Sequence, residues 1–192
     1  MDYSLQQRGR ASIAFLSDLR NLSDRFEGRS DQRARATGLD PQALPDDPEQ
    51  LQARVAPILE ADPEFRVLRM CRDWTLEQHG KVAMDAFEEI RDDVEPRLQA
   101  LQDGPAPLDY AENLQPPDDW EGYEFHKSAG GWDGHDYMGF VHGELIHRQM
   151  VNPSFAGMIY AVRKSVAESA PVKDPAKILD VGCCSGQYTQ GV

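Results

Sequence analysis

The chain has no long apolar run: nothing in its 192 residues approaches the roughly eighteen that a membrane-spanning helix needs. Basic residues are in short supply, 20 Lys and Arg against 33 Asp and Glu, for a formal net charge of −13. A basic face is what non-specific attachment to nucleic acid or to an anionic membrane requires, so neither partner is expected. An acidic, solvated surface is the simpler account of the charge. Cysteine is also scarce. Cys71 and the adjacent pair Cys183 and Cys184 have neither an even count nor framework spacing, which argues against a secreted disulfide scaffold. The absence of a CxxC argues against a structural zinc site. The first ten residues, MDYSLQQRGR, lack the apolar core of a secretory signal, so a cytoplasmic protein with reduced thiols is the expectation. No internal repeat is visible.

Most of the first three-fifths carries helical periodicity. Ser4 and Gln7 have capping-box spacing, and Ile13, Leu16, Leu19, Leu22 and Phe26 recur every three or four residues, with Gly28 as the expected stop. A polar stretch broken by Pro41, Pro45 and Pro48 reads as a connection with room for a short helical piece. Asp47-Pro48-Glu49 and Asp62-Pro63-Glu64 both have the order of a helix start: cap, proline, acid. Leu51, Val55, Ile58 and Leu59 give the first of these helices an apolar face, which Pro57 should kink or end. Phe65, Leu68, Cys71 and Trp74 line the second, with Gly80 as its stop. A further helix carries Ala83, Phe87, Ile90 and Val94, with Leu98 and Leu101 beyond a break at Pro96. Residues 1–103 therefore read as an antiparallel helical bundle or cap.

Residues 104–152 are different, rich in proline, glycine and aromatics. Trp120, Tyr123, Phe125, Trp132, Tyr137 and Phe140 suit either a local core or the wall of an acceptor pocket, and SAGGWDGHD has the glycines of a lid. Asp136 is placed to cap a helix ending near Met150. Within it, His142, Glu144 and His147 occupy HGELIH. Metalloprotease helices need their histidines at i and i+4. Here they are five apart, about 140° around an α-helix, so no metal site is expected. Either histidine is a candidate general base, taking a proton from an acceptor as it attacks.

Residues 153–192 begin with a helix whose face is Phe155, Ile159, Val162 and Val166. After a polar connection, KILDVG has the composition and flanks of a short buried strand. A strand leading into a glycine-rich turn, with a helix to follow, is the recipe for a nucleotide site, because backbone N–H groups are free to meet a ligand. A dinucleotide fingerprint needs glycine at the first, third and sixth positions; these are Gly182, Cys184 and Gln187, so two of the three fail. The Gly-Lys-Ser/Thr of a P-loop is absent as well.

The stretch ILDVGCCSG, residues 178–186, resembles motif I of the class I S-adenosylmethionine-dependent methyltransferases, usually Leu-Asp-Val/Leu-Gly-Cys-Gly-x-Gly. The resemblance implies that Asp180, Gly182 and Gly186 take the matching positions, and that Cys183, Cys184 and Ser185 line a turn wrapping the methionine part of S-adenosylmethionine. Cys184 replaces the middle glycine; if that position needs a positive φ, the cysteine costs on the order of 1 kcal/mol. The later strands, with the acidic residue that holds the ribose, do not follow within the sequence. The resemblance thus implies the N-terminal part of a methyltransferase acting on a small-molecule acceptor, inactive alone. The expected fold is mainly α, a helical bundle or cap followed by the first strand of a Rossmann-like α/β domain. Its last strand should be exposed, disordered or paired with another chain, since an unpaired apolar edge invites association. A helical interaction or dimerisation module with a vestigial motif is the alternative, a homodimer being one form of it, and a metal-binding helical protein is a third.

Overall fold

Capping aspartates fix where two of the long helices of this chain begin, and packing decides how far the helices run. A computed structural model describes residues 2–102, 104, 115, 135–155, 159–169, 177–186, 188 and 189. Helix α1 (Gln7–Ala36) is the longest. It starts after Gln6, which makes no side-chain cap, so Ser4 does not cap it as expected. Nor does it stop at Gly28. Its buried side, Ile13, Leu16, Ser23, Ser30 and Ala34, extends two turns further. Leu22, expected on this face, is exposed.

Small side chains along α1 admit a close neighbour, and that neighbour is α3 (Pro63–Glu88). The pair is antiparallel: Gly9 meets Ala86, Phe15 meets Trp74, and Arg33 meets Asp62 and Glu64. Both proline-led starts are as expected. The Gln50 N–H donates to Asp47 Oδ1 over 2.9 Å to open α2 (Pro48–Ala61), and the Glu64 N–H donates to Asp62 Oδ1 over 2.9 Å to open α3. The expected breaks do not occur. Pro57 lies inside α2, Gly80 lies buried inside α3, and Pro96 lies inside α4 (Arg91–Gln102). Each loses a backbone bond or some helix propensity, and around Gly80 the burial of Ala83, Ala86 and Phe87 offsets the loss.

Ala83 and Phe87 of α3, Ile90 at the α3–α4 turn and Val94 of α4 form one buried face with Ile13 and Leu16, as their periodicity indicated. The other half of this core comes from residues 138–150. Helix α5 (Met138–Phe140) runs without a break into a π-helix (Val141–Val151), and Met138, Val141, Leu145, Ile146 and Met150 close over Phe87. The end of this helix was expected near Met150; its start is not capped by Asp136, since Tyr137 precedes the first turn and makes no side-chain cap.

A 3-10 turn (Asn152–Phe155) and α6 (Ile159–Glu168) follow. The expected apolar face of α6 is not buried: Val162 and Val166 are exposed, while Arg163 is buried. Lys177–Asp180 is not in a strand, and no strand occurs among the described residues. The Rossmann-like strand is thus absent here for a simple reason. Its backbone has no partner strand among the described residues to bond to. The exposure expected of an unpaired segment is observed: Leu179 is 86% and Val181 84% exposed. The described chain is mainly helical, and no described helix is long and apolar enough to cross a membrane.

Candidate functional site

Winding decides how the histidines of HGELIH relate. In an α-helix Val141, Leu145, Ile146 and Met150, spaced by four, one and four, would spread over half the circumference. The wider winding of a π-helix, with i→i+5 bonding, brings residues five apart much closer around the axis than the roughly 140° of an α-helix. Val141 then aligns with Ile146 and Leu145 with Met150, so all four reach the core. The same winding aligns His142 with His147. Their rings sit edge to face, 4.5 Å between centroids. The 140° separation expected from α-helical geometry is therefore wrong, and the cause is the wider helix.

The site residues read from the sequence come together at this pair. The Cys184 sulfur lies 3.4 Å from His142 Nδ1. His147, His142 and Cys184 thus form a continuous row from the π-helix to the motif turn. No group of three or more His, Cys, Asp or Glu side chains among the described residues has the geometry to hold a metal ion. Glu144 is directed elsewhere: its carboxylate pairs with Arg148 at 2.8 Å, and its carbonyl accepts from the Tyr3 hydroxyl.

The turn itself alternates in hand. Gly182, Cys184 and Gly186 have φ of +73°, +54° and +72°. These are the three glycine positions of the motif, and all three take the left-handed region that a side chain disfavours. Cys184 is the one residue other than glycine with positive φ among those described. The Gly186 N–H donates to the Cys183 carbonyl over 2.8 Å and closes the turn. Asp180 does not point into solvent alone; the Thr189 hydroxyl donates to its Oδ2 over 2.6 Å. Cys183 is exposed, with its sulfur directed to the Cys184 carbonyl at 3.7 Å, and Ser185 is half-buried.

Sequence reading missed Arg163. It is 5% exposed, donates to Asn152 Oδ1 over 3.3 Å, and sets its guanidinium 6.0 Å from the Tyr188 ring beyond the turn. An arginine beside the apolar positions of α6 was the available signal. A buried guanidinium is suited to a carboxylate.

The aromatic segment divides. Tyr137 and Phe140 pack against Phe87, at 5.5 and 6.0 Å between ring centroids, and so belong to the core. His135 packs edge-on to Phe87 as well. Trp120, Tyr123, Phe125, Trp132 and the glycines of the expected lid lie outside the described residues. The Tyr137 hydroxyl donates to Glu95, which holds its proton more tightly than usual, although a hydrogen bond from Gln99 and the net effect of burial also act on it.

A separate groove of about 420 Å³ lies where the end of α1 meets the α2–α3 corner, lined in part by Arg33, Thr37, Ile58, Leu59 and Asp62. None of the motif residues line it. Its cation is already occupied, since Arg33 makes two bonds to Asp62 and one to Glu64. Comparison with family models, with curated proteins and with solved structures gives no match for the chain.

Proposed function

We propose that residues 178–186 are the first cofactor turn of an S-adenosylmethionine-dependent methyltransferase, presented beside a helical N-terminal region, with a small molecule as methyl acceptor. One observation carries the reading. Gly182, Cys184 and Gly186 all have positive φ, so the turn keeps glycine-type backbone at every glycine position of the motif, even where the side chain is cysteine. Such backbone exposes N–H groups to a ligand at close range. In this reading Asp180, Gly182, Cys183, Cys184, Ser185 and Gly186 surround the methionine end of the cofactor, and Arg163 offers charge to its carboxylate. The chemistry supplied by the bound cofactor is an electrophilic methyl group; the protein positions and shields the reactants. His142 or His147 serves as general base, with His142 the one nearer the turn.

The turn contributes only part of such a site. These 192 residues alone are expected to bind the cofactor weakly and not to catalyse. Calorimetric titration of S-adenosylmethionine into the product of the complete reading frame tests the proposal. One saturable site, lost in Gly182→Val, supports it; no heat from the wild-type protein overturns it.

A second reading, a helical interaction or dimerisation module, is favoured by a different observation. Phe15, Leu22, Val67, Met70 and Trp74 expose large apolar side chains on α1 and α3. Sedimentation equilibrium separates the two. A concentration-dependent dimer lacking cofactor affinity supports the module, and a monomer that binds S-adenosylmethionine dismisses it.

A further inference from the structure

We propose that Cys184 and His142 form a thiol–imidazole dyad that reacts with hydroperoxides, making the motif turn an oxidation site. Three features of the structure bring this about. The π-helix carries His142 to 3.4 Å from the Cys184 sulfur. His147, one π-turn on, packs its ring against that of His142 and restrains its orientation. The turn holds Cys184 at a φ of +54° with the residue exposed, so an oxidant reaches the sulfur without any rearrangement of the core.

Cys183 provides an internal comparison. It is also exposed and adjacent in sequence, but its sulfur faces a backbone carbonyl, which cannot accept and return a proton as an imidazole does. Cys71 is half-buried on α3.

The step balances as follows. The thiol proton of Cys184 passes to His142 Nδ1, and the thiolate attacks one oxygen of the hydroperoxide. An S–O bond forms and the O–O bond breaks. The departing oxygen takes the proton back from the imidazolium and leaves as water or an alcohol. Sulfur is oxidised by two electrons to the sulfenic acid, and the peroxide is reduced by two. The reactivity stands on geometry alone. Its regulatory meaning rests on the cofactor reading, because an added oxygen at Cys184 would occupy the space of the methionine end and close the site.

The test is dimedone trapping with site-resolved mass spectrometry after brief exposure of the complete protein to hydrogen peroxide. Label on Cys184 exceeds that on Cys183 and Cys71 by roughly a hundredfold, the lower end of the range for general-base assistance. His142→Gln brings Cys184 down to the level of Cys183 and leaves Cys71 unchanged. Equal labelling of Cys183 and Cys184 in the wild-type protein overturns the dyad whether or not the variant folds, and an unchanged ratio in a folded His142→Gln does the same. A parallel arm adds S-adenosylmethionine before the oxidant. Selective labelling that the cofactor slows supports both proposals; selective labelling that it does not slow leaves the dyad standing and counts against the cofactor turn.

Discussion

Gly9→Ala decides between local propensity and tertiary fit, because the two predict opposite signs. Gly9 lies in the first turn of α1, where alanine is the better helix former by roughly 1 kcal/mol. Its surroundings oppose the change. A Cβ there would meet Glu89 Oε2 at 2.8 Å, Ala86 Cβ at 2.9 Å and Ala86 Cα at 3.1 Å. The Glu89 carboxylate is not free to swing away. It accepts from Arg8 Nε and from the Gly9 N–H at 3.0 Å, while the Glu89 carbonyl accepts from Gln6 Nε2 at 2.6 Å. Ala86 is fully buried in α3, so relief requires α1 and α3 to separate. Overpacking of this kind costs about 1–3 kcal/mol. Subtracting the propensity gain leaves a net loss of up to about 2 kcal/mol, or up to roughly 6 °C in Tm for a chain of this size. Urea denaturation followed by circular dichroism measures it. A variant more stable than wild type by the propensity difference would refute the close α1–α3 approach at this end.

Phe87→Ala empties the centre of the core shared by α1, α3 and the π-helix, and should cost about 3–5 kcal/mol by urea denaturation; a loss below about 1 kcal/mol would show that these elements do not share it. The hydrogen bond from Arg8 lowers the affinity of the Glu89 carboxyl for its proton; burial opposes this, and the Gly9 N–H adds to it. The unfolded state therefore binds more protons, so the contribution is complete above the ordinary glutamate range and is lost as pH falls through that range toward the depressed folded value. Thermal scans down from neutral pH should show Glu89→Gln losing less stability on acidification than wild type, and parallel curves would remove Glu89 from the account. Cys184→Gly relieves a positive φ worth about 1 kcal/mol that the turn already holds without cofactor, so urea denaturation should show a gain of up to about 1 kcal/mol; a loss of stability would mean that the turn does not strain the cysteine.

Helix starts were legible in the sequence because they are made locally. Asp47 and Asp62 cap within three residues of themselves, and the proline that follows each is already at a helical φ. Helix ends were not. Gly28, Gly80, Pro57 and Pro96 are local signals to stop, yet each lies inside a helix whose faces are held by distant partners. The π-helix was hidden for the same reason. The spacing of Val141, Leu145, Ile146 and Met150 is compatible with two windings, and Phe87 and Ile13, far off in sequence, select the wider one. The pairing of His142 with His147 is a consequence of that selection. At the motif, glycine spacing conveyed which backbone positions turn left-handed, since that is a property of single residues. It conveyed nothing about Cys184 meeting His142, a contact between positions 42 apart. The strand expected at KILDVG failed because strand formation depends on a partner, and composition alone provides none.

The central claim is that S-adenosylmethionine sits on the turn from Asp180 to Gly186, and the most direct measurement is to find where the cofactor touches the protein. Ultraviolet cross-linking with methyl-labelled S-adenosylmethionine, followed by tryptic digestion and mass spectrometry, locates the contact. The account predicts label in the peptide that begins at Ile178, after cleavage at Lys177. Label confined to peptides of α1 to α4, or none above that of a cross-linked control protein, would contradict it.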